Sequence, residues 1–195
     1  MSKLDKIEEL QRLIKENTQD FQLRRQLAVL LIDCGFNEEA LKHLLYLSKM
    51  TQDDGVYYNL GIVYEKMKNF KKAKEAYKKS LELAPNSADS IYNLGLVLTE
   101  LQEYEEAIEC FNKILKNEPN DSNTYFNLGL VYFKQKDLQN AFINFQKTVQ
   151  LNDSDLYAHF YLGNIYKEVG KPNNAKAEFK KVIQISPDYS WAYFN

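Results

Sequence analysis

The chain is poor in the residues from which most active sites are built. Its 195 residues hold two histidines, His43 and His159, and two cysteines, Cys34 and Cys110. The cysteines are far apart and neither has a CxxC neighbour, so they read as reduced structural thiols. Neither histidine has a cysteine or carboxylate at metal-ligand spacing, and His159 stands in an aromatic column, where a packed ring is expected. No glycine-rich phosphate loop is present. Catalysis, a cofactor, a metal and a small-molecule substrate are therefore all unexpected. A formal charge of −2 lacks the basic excess that phosphate binding needs, so no nucleic-acid partner is expected. The charged N-terminus, residues 1–10, offers no apolar run for a signal peptide or membrane span. Asn120-Asp121-Ser122 and Asn152-Asp153-Ser154 match glycosylation sequons, but nothing else suggests secretion. The expectation is a cytoplasmic protein with no membrane partner.

What the chain has in quantity is repetition. Tyr57-Tyr58-Asn59-Leu60-Gly61-Ile62-Val63-Tyr64 returns at 91–98, at 125–132 and, more loosely, at 159–166. The Leu-Gly pairs at 60, 94, 128 and 162 keep a constant step of 34 residues. A fixed period of that size means stacked repeats, each too small to bury its own apolar face.

In chain order, residues 1–20 predict an N-terminal capping helix with a stripe of Leu4, Ile7, Leu10 or Gln11, and Ile14. Residues 21–53 form a divergent repeat in which Leu27-Ala28 replaces Leu-Gly, Gly35 marks a turn, and Ala40 and Leu44 open the second helix. Regular units follow at 54–87, 88–121, 122–155 and 156–189, all in one solenoid domain. Each divides into two helices around a short turn. Pro85, Pro119 and Pro187 end second helices, and neighbouring Asn, Asp or Ser residues cap the next. In unit 122–155 Asp153 replaces proline, so that junction depends on capping alone. Residues 190–195 match the opening of a further, truncated repeat, so the sequence predicts a piece of a longer protein.

Mid-helix glycines cost roughly 1 kcal/mol relative to alanine, so tight packing is expected at Gly61, Gly95, Gly129 and Gly163. The expected partners are the small residues Ala73, Ala107, Ala141 and Ala175 of the second helices. Tyr64, Tyr132, Tyr166, Tyr77, Phe111, Phe145 and Phe179 would then fill the wider spaces.

These columns, for one unit Tyr57, Leu60, Gly61, Tyr64, Ala73, Tyr77 and Pro85, resemble the tetratricopeptide repeat pattern of an aromatic-x-x-Leu-Gly-x-x-Tyr helix, then Ala-x-x-x-aromatic, then Pro. The resemblance spans essentially the whole chain. It implies an all-α, right-handed superhelical solenoid of antiparallel helix pairs, with first helices lining a concave groove. Such a fold serves many partners and by itself names none.

On the face that holds Asn59, the helical period gathers two tracks. Asn59, Asn93 and Asn127 form an asparagine ladder, broken by Tyr161 and resumed at Asn195. Beside it run Tyr58, Ile62, Tyr92, Leu96, Phe126, Leu130, Phe133 and Phe160, with Asn164 following Tyr161. Thr99 and Tyr157 fall on the same face. Amides in a row can pair with the backbone of an extended peptide whatever its sequence, while aromatic anchors select apolar side chains. The ladder resembles the asparagine-lined superhelix of the O-linked N-acetylglucosamine transferase family. The competing account is that the amides bond neighbouring helices and the rings merely pack.

The chaperone-tail-binding subfamily uses a Lys and Asn clamp, but the clamp places hold Arg25 and Val29, Tyr58 and Ile62, and Tyr92 and Leu96. The basic run Lys66, Lys68, Lys71, Lys72, Lys74, Lys78 and Lys79 reads as a solvated outer face. The function expected is a non-enzymatic protein-interaction scaffold binding an extended, partly apolar segment. The alternatives are a self-assembling homo-oligomeric scaffold, and the substrate-docking arm of a larger enzyme lying beyond Asn195.

Overall fold

The computed structural model describes residues 2–188, and these form eleven helices and no strand. Tyr189, the opening of a further repeat at 190–195 and the ladder member Asn195 lie outside the described residues.

Local chemistry accounts for where each helix begins. Asp20, Asp53, Ser87, Asp121 and Asp155 each accept a backbone N–H at the start of a first helix. A side-chain oxygen there replaces one of the hydrogen bonds that the first helical turn cannot make internally. At the junction without proline, Asp155 alone does this, taking the Ala158 N–H at 2.8 Å. Helix ends are equally regular. Gly35, Lys68, Gln102, Lys136 and Gly170 hold left-handed backbone just past the ends of first helices. After the helix Asp54–Lys66, for example, Asn69 N–H returns to Tyr64 C=O at 2.8 Å, closing the turn into the second helix.

The described chain gathers into two compact units, one reaching Gln102 and one starting at Glu103. In the first unit, α1 (Lys3–Glu16) packs on α2 (Phe21–Asp33). Helix α2 then pairs with α3 (Asn37–Met50), and α4 (Asp54–Lys66) pairs with α5 (Phe70–Leu83), which carries α6 (Ala88–Glu100). In the second, α7 (Tyr104–Asn117) leads into the pair α8 (Ser122–Lys134) and α9 (Leu138–Leu151), then α10 (Leu156–Glu168) and α11 (Pro172–Ile185).

The α1 stripe differs at its start from expectation. Ile7, Leu10 and Ile14 are buried, whereas Leu4 is 57% exposed.

The glycine column also packs differently from expectation. A Cβ placed on Gly129 or Gly163 would lie 2.6 Å from the ring of Phe145 or Phe179, and one on Gly61 would meet Tyr77. The glycine therefore receives the aromatic ring four residues after the second-helix alanine, not the alanine itself. Ala73, Ala107 and Ala141 are fully buried all the same. A flat ring against bare backbone brings the two helices together at the cost of the Gly side chain's absence.

Candidate functional site

All thirteen residues of the expected groove lie on first helices, and none is lost to the core. Tyr58, Asn59, Ile62, Tyr92, Asn93, Leu96, Phe126, Asn127, Leu130, Phe133, Phe160, Tyr161 and Asn164 are each half-buried. Thr99 is the exception among the wider set: it is 7% exposed because its hydroxyl turns back to Gly95 C=O at 2.8 Å.

In the first unit the lining is a polar network. Asn93 donates to the Tyr58 hydroxyl at 3.3 Å, and Tyr77 donates to Glu65 Oε2 at 3.1 Å. Burial, followed by the Asp89 charge, pushes the Tyr58 hydroxyl above its ordinary pKa. Burial likewise raises Tyr77, with Glu65 second, and raises the Glu65 carboxyl against the Tyr77 hydrogen bond. Asn59 donates to Gly55 C=O of its own helix at 2.8 Å. Two ladder amides thus spend a donor inside the protein, as the competing account of the ladder anticipates, although each amide has more than one donor.

In the second unit the lining is aromatic. Tyr161 is its hub, stacked on Phe145 at 5.0 Å and edge-on to Phe133 at 5.2 Å, Phe160 at 5.8 Å and Phe126 at 6.1 Å. Tyr157, 57% exposed, extends the wall 6.5 Å from Phe126. Such tilted and edge contacts fix the rings beyond what area burial alone achieves.

Two features went unremarked in the sequence. Arg24 sets its guanidinium carbon 4.1 Å from the Tyr46 ring centre and donates toward His43 Nδ1 at 3.3 Å, inside an open cavity of about 990 Å³ shared with Phe36, Lys42 and Met67. Burial, with Arg24 second, holds His43 below its ordinary pKa. An apolar notch of about 470 Å³ lies between Phe142, Ile143, Tyr166 and Val169. The arginine was the available signal: it replaces an aromatic residue of the repeat. Among the described residues, no cluster of three or more His, Cys, Asp or Glu is placed to hold a metal. None of the described helices is long and apolar enough to cross a membrane.

Paired helices at a fixed period, with amides and rings held half-open on the first helix of each pair, define an all-α solenoid scaffold for protein interaction. The chain belongs to the tetratricopeptide repeat family: models described as tetratricopeptide repeat match residues 1–56, 56–87, 76–109, 122–155 and 156–189, and one described as TPR repeat matches 95–136. No curated protein sequence matches it. Among solved structures it is similar to MamA from Desulfovibrio magneticus RS-1, with 25% identity, 88% of this chain and 97% of that one covered, and a TM-score of 0.81. It is also similar to YrrB, described as a TPR protein with an unusual peptide-binding site, with 25% identity, 95% and 96% covered, and a TM-score of 0.77.

Proposed function

We propose that this chain is a non-enzymatic, cytoplasmic scaffold whose first-helix faces take an extended, partly apolar peptide segment. The observation that carries the reading is the half-open state of all thirteen lining residues. Partly exposed rings that touch one another, as around Tyr161, form the kind of contiguous patch that marks an interaction surface, and Tyr and Phe are enriched at interfaces. The peptide-binding site in the description of YrrB agrees with this use of the fold.

The rings of the second unit would select apolar side chains, and the amides would pair with the peptide backbone. Asn164 suits that task better than Asn59 or Asn93, whose amides each already give a hydrogen to Gly55 C=O or to the Tyr58 hydroxyl.

Selection from a displayed library of random linear peptides tests the proposal. The wild type should enrich sequences rich in apolar and aromatic residues. A Phe133→Ala, Phe160→Ala variant that keeps its helical circular dichroism should lose that enrichment, since truncating an interface anchor costs about 2 kcal/mol or more. The same pool enriched on both proteins would refute the groove.

A further inference from the structure

His159 links three segments of the second unit, and its geometry asks for a proton. The ring is 8% exposed. Its Nδ1 lies 2.7 Å from Glu178 Oε2 on α11, and its Nε2 lies 3.0 Å from the Asp153 carbonyl in the turn before α10. Both neighbours are acceptors. A neutral imidazole has one N–H and can serve only one of them, whereas the imidazolium serves both.

The repeat register sets this residue apart. At equivalent positions, the Tyr125 hydroxyl donates to Pro119 C=O at 3.3 Å and the Tyr57 hydroxyl to Ser48 C=O at 3.3 Å. A bond from this column to the preceding segment is thus a recurring feature, and a tyrosine hydroxyl makes it in two of the repeats. His159 makes it with a group that titrates near neutrality and adds a second bond, 19 residues along, to α11.

We propose that His159 is a proton-operated latch that fastens α11 and the Asp153 turn to α10. The facing groups are few. Helix α11 presents Glu178, which favours the charged ring, and Lys181, which opposes it. On α10's own side, the Asp155 carboxylate is occupied by the Ala158 N–H, and on α9 Lys147 lies over the Tyr125 ring. The Glu178 hydrogen bond outweighs burial and raises the ring above its ordinary pKa. With the folded value raised, the latch is fully closed below the unfolded-state value of about 6.5 and opens as pH rises through the folded one.

What the latch holds matters for the aromatic wall. Phe179, next to Glu178, covers Gly163 and stands 6.1 Å from Phe160. Loosening α11 therefore removes the backing of Phe160. The latch needs no ligand and stands or falls independently of peptide binding.

The test is a titration of the whole chain by NMR, reading the His159 ring, together with amide exchange in α11 corrected for intrinsic rates. His159 should titrate above 6.5, and protection of α11 should fall across that same titration. Glu178→Gln should bring the His159 titration down. His159→Tyr, which restores the column's usual residue, should fold with α11 protection that no longer depends on pH over this range. A His159 titration at or below 6.5, or α11 protection with the same pH slope in wild type and His159→Tyr, would overturn the latch.

Discussion

Lys68, Gln102 and Lys136 hold φ of 59°, 62° and 65°, a conformation that crowds any Cβ and costs roughly 1–2 kcal/mol. Gly35 and Gly170, at the matching turns, hold φ of 81° and 73° without that crowding. The three strained positions differ in what they receive in return. Lys136 and Lys68 place their ammonium groups 5.8 and 5.9 Å from the Phe133 and Phe70 rings, whereas Gln102 has no such contact. Gln102→Gly should therefore stabilise the protein, by up to about 1 kcal/mol after the greater flexibility of unfolded glycine is set against the relieved strain. Lys136→Gly should gain less, since an exposed cation–π contact is worth roughly 0.5–1 kcal/mol. Chemical denaturation of the two variants beside the wild type checks both the sign and the order.

At the scale of the helix pair, the unit of construction is a glycine on one helix and an aromatic ring on the next. Gly129 with Phe145 is the clearest example, because the ring is fully buried and cannot swing aside. Gly129→Ala should cost about 1–3 kcal/mol by overpacking, despite alanine's better helix propensity. In a Phe145→Leu background the same substitution should cost at least about 1 kcal/mol less, because the obstructing ring is gone. Equal costs in both backgrounds would mean that the ring does not set the spacing. The example also marks what was legible in the sequence. The 34-residue step, the capping Asp and Ser residues and the buried second-helix aromatics were readable because each is fixed within one helix. The choice of Phe145 over Ala141 as the partner of Gly129 was not, because it depends on the stagger between two helices. The same limit hid the two bonds of His159: the ring's place in an aromatic column was plain, but Glu178 on the facing helix was not. At the candidate site the period put all thirteen lining residues on the first helices, yet it could not foresee that Asn93 donates to Tyr58 while Asn59 turns back on its own helix.

At the scale of the molecule, the buried residues described in each unit form a cluster of their own. Buried residues cluster separately, around Leu27, Leu44 and Leu60 in the first unit and around Phe145, Leu162 and Ile165 in the second. In such arrays stability is close to a sum of repeat terms and nearest-neighbour terms, so damage need not spread through the chain. A lesion placed inside the second cluster separates this behaviour from ordinary two-state unfolding. Gly129→Leu drives a branched side chain into the space of Phe145 and should destabilise α8 and α9 by about 1–3 kcal/mol or more. Hydrogen exchange read by mass spectrometry should then show faster opening across α8–α11, while α2–α5 keep the protection they have in the wild type. If protection fell equally in α2–α5, the chain would unfold as one cooperative body. Either unit could then be disabled from the other, and the polar lining of the first and the aromatic wall of the second would be lost together rather than one at a time.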